Sequence, residues 1–222
     1  MNSRRLLVWF AVLSACLTTL PPADAHRLDE LLQATRLSVD TERVDLEIDL
    51  TPGISLASEV FASIDTNRDG EISHAEGELY ARQVLRSVDL SVDGRHLPVA
   101  LVDSSFPPFR DMSLGEGTIR LRATANVPAT GAGRHRLSFS NTHRSRSSVY
   151  LVNALVPANP RIQLADQRRD REQHQLTLDY TVAADAPSAR TFALIAGLLL
   201  AGRWFLQRRL RIRARLSPSL PI

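Results

Sequence analysis

Val44-Asp45-Leu46-Glu47-Ile48-Asp49-Leu50 places an apolar residue at every second position and an acid at each position between. Successive side chains of a β-strand point to opposite faces, so this segment has one face for a core and one for water. The alternation begins near Arg36 and recurs along the rest of the chain. Leu90 and Val92 lead into Asp93-Gly94, a two-residue hairpin turn, and Leu97, Val99 and Leu101 follow it. Ile119, Leu121, Ala123, Ala125 and Val127 alternate with Arg120, Arg122 and Thr124, and Gly131 and Gly133 mark a turn before Leu137 and Phe139. Val149 to Val156 is almost wholly apolar, which predicts a strand in the middle of a sheet. Leu176, Leu178, Tyr180 and Val182 close the set. About seven to nine short strands with turns between them predict an antiparallel β-sandwich of the Ig-like kind.

One segment breaks the period of two. Ala57, Val60, Phe61 and Ile64 follow the spacing of one helix face, after Pro52-Gly53 has ended the preceding strand. Leu79, Tyr80, Val84, Leu85 and Val88 resume a helical pattern, with Gly77 an unfavourable interior residue. Between the two helices runs Asp65-Thr66-Asn67-Arg68-Asp69-Gly70-Glu71-Ile72-Ser73-His74-Ala75-Glu76. The fold class predicted is therefore α+β, a sandwich with a helix-loop-helix inserted at residues 54–87.

That loop resembles the EF-hand calcium loop. Calcium is a hard cation that takes six to eight oxygens, so a chain must aim oxygens inward at alternate positions. Asp65, Asn67 and Asp69 stand at positions 1, 3 and 5 of the loop, and Gly70 at position 6 allows a sharp turn. Glu71 at position 7 contributes its backbone carbonyl, Ile72 ties the loop to the interior, and Ser73 acts through a water. Glu76 at position 12 supplies both carboxylate oxygens. The resemblance implies bound Ca2+, with metal ligands Asp65, Asn67, Asp69, Glu71 and Glu76. The loop departs from the best-known EF-hands in standing alone. A lone loop is expected to bind weakly or to lean on another element, and weak binding suffices outside the cytoplasm, where such modules have Kd on the order of 10⁻⁴–10⁻³ M.

The two ends carry targeting signals. Arg4 and Arg5, the apolar stretch Leu6 to Leu20 and Ala23-Asp24-Ala25 form the three parts of a signal peptide, residues 1–25, with a mature start at His26. A rival reading takes Leu13-Ser14-Ala15-Cys16 as a lipobox with a lipidated Cys16, the single cysteine of the chain. At the other end, Thr191 to Leu206 carries no charge except Arg203 and predicts one transmembrane helix, residues 189–207. Arg208, Arg209, Arg211, Arg213 and Arg215 follow in the tail 208–222 with no acid among them, which holds that tail in the cytoplasm. The exported domain is then residues 26–188, on the periplasmic side of the cytoplasmic membrane.

Arginine supplies all 27 basic residues, for there is no lysine. Between His26 and Arg190 there are 19 arginines against 23 acids, a net charge of −4, so the excess of base lies at the ends. The folded part has no electrostatic footprint for phosphate, which excludes nucleic acid as a partner. The partners expected are the membrane, through its single span, and an unidentified membrane or periplasmic protein.

The chain as a whole is similar to a family of exported, membrane-anchored proteobacterial proteins with an EF-hand domain. The likeness is carried by Ala25-His26, Arg27-Leu28-Asp29-Glu30, Asp49-Leu50-Thr51-Pro52-Gly53, the calcium loop and Ser148-Val149-Tyr150-Leu151-Val152-Asn153-Ala154-Leu155-Val156-Pro157. It implies exported calcium binding, with a structural or partner-binding role for the ion. The alternative it implies is an accessory component of a metal-ion transport system, since some members look related to periplasmic parts of metal transporters. No enzyme is expected, because HExxH, Gly-x-Ser-x-Gly and phosphate-loop motifs are all missing from the sequence. His26 at a mature N-terminus would offer copper an amine and an imidazole, but no second histidine or methionine follows nearby. The remaining histidines, at 74, 96, 135, 143 and 174, show no mutual spacing of a site, and the charged loop Asp166 to Glu172 has neither the glycine nor the spacing of an EF-hand.

Overall fold

The alternating segment pairs with the strand before it. β1 (Leu31–Val39) and β2 (Arg43–Pro52) form an antiparallel pair in register from Leu31 opposite Pro52 to Val39 opposite Val44. Val44, Leu46, Ile48 and Leu50 are all fully buried. On the opposite face the guanidinium of Arg36 donates to Glu47 and Asp49, each at 3.0 Å, which turns the polar side of the pair into a cross-strand charge ladder.

The computed structural model describes residues 29–128, 131–184 and 203, and among them ten strands and three helices. One sheet has the order β5 (Ala100–Ser105), β6 (Ile119–Asn126), β2, β1, β8 (Ser148–Ala154). The other has the order β4 (Arg95–His96), β3 (Val88–Val92), β7 (Gly133–Asn141), β10 (Gln175–Val182), β9 (Ile162–Arg169). The helices are α1 (Ala57–Ile64), α2 (His74–Leu85) and the five-residue α3 (Phe109–Ser113). Strands and helices share one hydrophobic core, in which Ile48, Leu121, Leu137 and Leu178 meet Val60, Ile64, Tyr80 and Val84. The fold is thus mostly β, a sandwich-like α+β arrangement.

The turn at Asp93-Gly94 is as read, with φ of +51° and +77° at its two central residues and β3 pairing β4 across it. Two expectations are corrected. The sheets are not wholly antiparallel, because β1 and β8 run parallel, from Leu31 beside Ser148 to Leu37 beside Ala154. A parallel pair needs a long crossover, and here the chain supplies one by building most of the second sheet before returning to the first. The apolar run Val149 to Val156 is not central either. β8 is an edge strand, with Val149 41% and Leu151 40% exposed. Its free edge is closed by side chains of β9, for Arg169 donates to the Val152 carbonyl and the Ala154 N–H donates to Gln167 Oε1 at 2.9 Å. That cover does the work that a neighbouring strand would do.

The expected signal peptide at 1–25, Cys16, His26 and the tail 208–222 lie outside the described residues, as does the expected transmembrane segment 189–207 apart from Arg203. Among the described residues no helix is long and apolar enough to cross a membrane.

The strand registers bring three connections to one end of the sandwich: the helical segment after Pro52, the loop 142–147 and the loop 170–174. A buried polar hub holds this end together. Asn141 Nδ2 donates to Gln33 Oε1 at 3.0 Å, Gln33 Nε2 donates to the His143 carbonyl at 2.6 Å, and the His143 N–H donates to Asn141 Oδ1 at 3.0 Å. Tyr150 also donates to the His143 carbonyl, at 2.7 Å, and Tyr80 Oη of α2 lies 3.3 Å from His143 Nε2. The hub therefore joins both sheets to α2 through groups whose desolvation is compensated partner by partner.

Candidate calcium-binding loop

Why α1 and α2 form where they do follows from their flanks. The Gly53 carbonyl accepts the N–H groups of Leu56 and Ala57, so the turn after β2 opens directly into α1. Ala57, Val60, Phe61 and Ile64 are the buried residues of α1, as their spacing predicts, and Phe61 packs on Phe109 of α3 with ring centroids 5.0 Å apart. α2 starts at Ser73, whose hydroxyl accepts from the Glu76 N–H at 3.4 Å while Glu76 Oε2 accepts from the Ser73 N–H at 3.0 Å. This is a reciprocal capping box, which satisfies two of the N–H groups a helix start leaves open. Gly77, awkward by propensity, has a packing reason. A Cβ there would lie 2.6 Å from the ring of Phe106, which itself meets Tyr80 edge-on with centroids 6.2 Å apart.

Between the helices, the chain at Gly70 has φ +87°, a left-handed turn that glycine adopts at no steric cost. Arg68 also has positive φ, at +62°. Asp65 is only 5% exposed, with Oδ1 accepting from the Asp69 N–H at 3.2 Å and Oδ2 from the Gly70 N–H at 3.0 Å. Asn67 Oδ1 accepts from the Asp69 N–H at 2.9 Å, and Asp69 Oδ1 accepts from the Glu71 N–H at 2.9 Å. Each of these oxygens carries a second lone-pair direction beyond the one that holds the loop. The Glu71 side chain is exposed, and Ile72 packs on the core from a partly buried position.

Glu76 is the organising residue. Its Oε1 accepts from the Thr66 N–H at 2.8 Å, the Thr66 hydroxyl at 2.9 Å and the Asn67 N–H at 3.1 Å. Its Oε2 accepts from the Ser73 hydroxyl at 2.7 Å as well as from the Ser73 N–H. Five donors on one carboxylate favour its charged form, and the Ser73 hydroxyl foremost, then the Ser73 N–H and the Thr66 hydroxyl, lower its pKa to about 2. Glu76 thus ties the last position of the loop back to its second and third, and closes the loop on itself.

Thr66 was not legible as a partner of Glu76. Ser73, expected to act through a water, is here the N-cap of α2. The Ser-x-x-Glu spacing at 73–76 is the signal that finds the capping box in the sequence. The carboxylates of Asp65, Asp69 and Glu76 occupy one loop but do not converge on a point. Among the described residues, the three acid or imidazole side chains whose ligand atoms lie within 4.8 Å of one another are Asp170, Glu172 and His174. The donor set Asp65, Asn67, Asp69, Glu71 carbonyl and Glu76 is all oxygen and fits calcium in type and in spacing along the sequence, so binding would draw the carboxylates together. Neither family models nor curated proteins match the chain.

Proposed function

We propose that this protein is a calcium-binding protein of the extracytoplasmic face of a membrane, and that the loop Asp65–Glu76 holds one Ca2+ ion. The observation that carries the reading is the loop's backbone, which turns at Gly70 with φ +87° between two core-packed helices and sets Asp65, Asn67 and Asp69 on alternate positions before it. Asp65, Asn67 and Asp69 would hold the ion with side-chain oxygens, Glu71 with its carbonyl, and Glu76 with both carboxylate oxygens. Glu76 has then to exchange some of its five donors for the ion, so the energy of binding is partly spent on remaking the loop. The ion's role is structural or partner-binding, stiffening the join between the helices and the sandwich. Calorimetric titration of the full-length protein in detergent should give one calcium per chain and a clear preference for calcium over magnesium. Magnesium demands near-ideal six-coordinate geometry and tolerates a bidentate carboxylate poorly. Equal affinity for the two ions, or two calcium sites, is the result that sinks the single-loop reading.

The finer architecture belongs to the same proposal: an Ig-like sandwich, a signal peptide at 1–25 and one transmembrane helix at 189–207. Supporting it are the order of the charged, apolar and small-residue segments at the start and the five arginines after Gln207. The protein should stay with the membrane through an alkaline carbonate wash, and its mass should place His26 at the N-terminus. Recovery in the wash would overturn the anchor, and a lipid on Cys16 would replace the cleavage site by the lipobox. A second reading, an accessory to a metal-ion transport system, is favoured by the cluster of metal-type side chains Asp170, Glu172 and His174 at the same end of the sandwich as the loop.

A further inference from the structure

The β9–β10 hairpin turns through residues 170–174, and three of those five carry ligand-type side chains at alternate positions. We propose that Asp170, Glu172 and His174 form a second metal site, separate from the calcium loop, for a divalent transition-metal ion of the zinc type. Their ligand atoms all lie within 4.8 Å of one another. Asp170 Oδ2 stands 2.6 Å from His174 Nδ1, yet it is withdrawn from water and receives no hydrogen bond. The two atoms stand at ion-pair distance, closer than two ligands of one ion, so a bound cation would part them. Such a buried acceptor without a donor is costly, and a cation between the two atoms removes the cost.

The fold fixes two of the three ligands. Asp170 Oδ1 accepts from the Gln175 N–H at 2.6 Å, so that carboxylate is anchored by one oxygen and offers the other. The His174 carbonyl accepts from the Asn141 N–H at 3.0 Å, and its ring packs on Tyr150 with centroids 5.9 Å apart. Gln175 Nε2 lies 3.2 Å from His174 Nε2. Glu172 is exposed at the tip, with a carboxylate oxygen already within 4.8 Å of the other two ligand atoms. Ligands of a tetrahedral zinc shell stand about 3.4 Å apart, so Asp170 and His174 part slightly as Glu172 closes, and water completes the shell. The chemistry separates this site from the loop: an imidazole among the donors selects zinc, copper or nickel, whereas an all-oxygen set selects calcium.

The test is calorimetric titration of the full-length protein, in detergent and saturated with calcium, with zinc chloride. One zinc per chain should bind without displacing calcium, and cobalt in its place should give visible absorption bands. His174→Gln and the exposed Glu172→Gln should each weaken zinc binding at least tenfold, with calcium binding unchanged. Glu76→Gln should weaken calcium binding and leave zinc alone, so that the two assignments fail independently. Zinc binding that survives both hairpin substitutions, or that is lost with Glu76→Gln alone, overturns the proposal, as does no zinc binding by the wild type.

Discussion

A Glu76→Gln protein should bind calcium at least about tenfold more weakly than wild type while its sandwich stays folded. The substitution is selective for physical reasons. Glutamine keeps an oxygen that can accept from the Ser73 N–H, so the capping box of α2 survives. What it removes is one carboxylate oxygen and the charge from the final ligand position. Hydrogen exchange with and without calcium should then show where the ion acts. The buried faces of α1 and α2 share the core of the sandwich through Val60, Ile64, Tyr80 and Val84, all but fully buried. Calcium-dependent protection should therefore concentrate in Asp65 to Gly77 and the adjoining turns of the helices, and fade by Tyr80. Calcium at about ten times Kd stabilises the fold by about 1.4 kcal/mol, a modest linked effect. Protection that changes evenly over Ile119 to Val182 would mean that the ion stabilises the whole domain. An unchanged affinity would remove Glu76 from the ligand set.

How much of this was legible from residues alone depends on the range of the interactions involved. The period of two in Val44 to Leu50 and the left-handed pair Asp93-Gly94 are local, and the structure repeats them residue by residue. The positions of the calcium loop are local too, since turn, alternation and flanking helices all fall within Ala57 to Leu85. The place of β8 was not legible. An apolar run reads the same whether strands flank it on both sides or side chains from another sheet cover one edge, and the cover here comes from Gln167 and Arg169. The hub has the same character, for Gln33, Asn141 and His143 meet only because β1 starts where β7 ends. His174 showed no partner histidine in sequence, yet the β9–β10 hairpin turn folds Asp170 back on it.

The hub gives the second large effect, a fall in stability on mild acidification. His143 is 5% exposed, and its pKa is pushed down to about 4, by burial first and by the neighbouring Arg144 second. Among the described residues the ring's hydrogen-bond partner is the neutral Tyr80 hydroxyl, whereas Tyr150, Gln33, Asn141 and Ser148 engage only the His143 backbone, and Arg144 turns to Glu59 and Ser63. The ordinary histidine value of 6.5 applies to the unfolded chain. From pH 6.5 down to about 4 the unfolded chain therefore binds a proton that the folded chain refuses, and stability falls through that window as pH falls. Outside it this group contributes no slope. The full shift corresponds to about 3 kcal/mol, and relaxation of the hub around a charged ring brings the expected loss nearer to about 2 kcal/mol. Other groups act elsewhere on the scale. Glu76 and Asp179, each lowered to about 2 by their hydrogen bonds, contribute stability that is lost only as pH drops below the ordinary carboxylate range. His135, raised by Asp93, acts in the opposite sense, stabilising at low pH and losing its contribution as pH rises past its own value. Urea unfolding followed by circular dichroism between pH 7.5 and about 4.5 would measure the slope. His143→Gln keeps the backbone N–H and carbonyl that Asn141, Gln33 and Tyr150 use, and its amide can still meet Tyr80. That variant should lose most of the slope, and an equally steep fall in its stability would mean that some other group binds the proton.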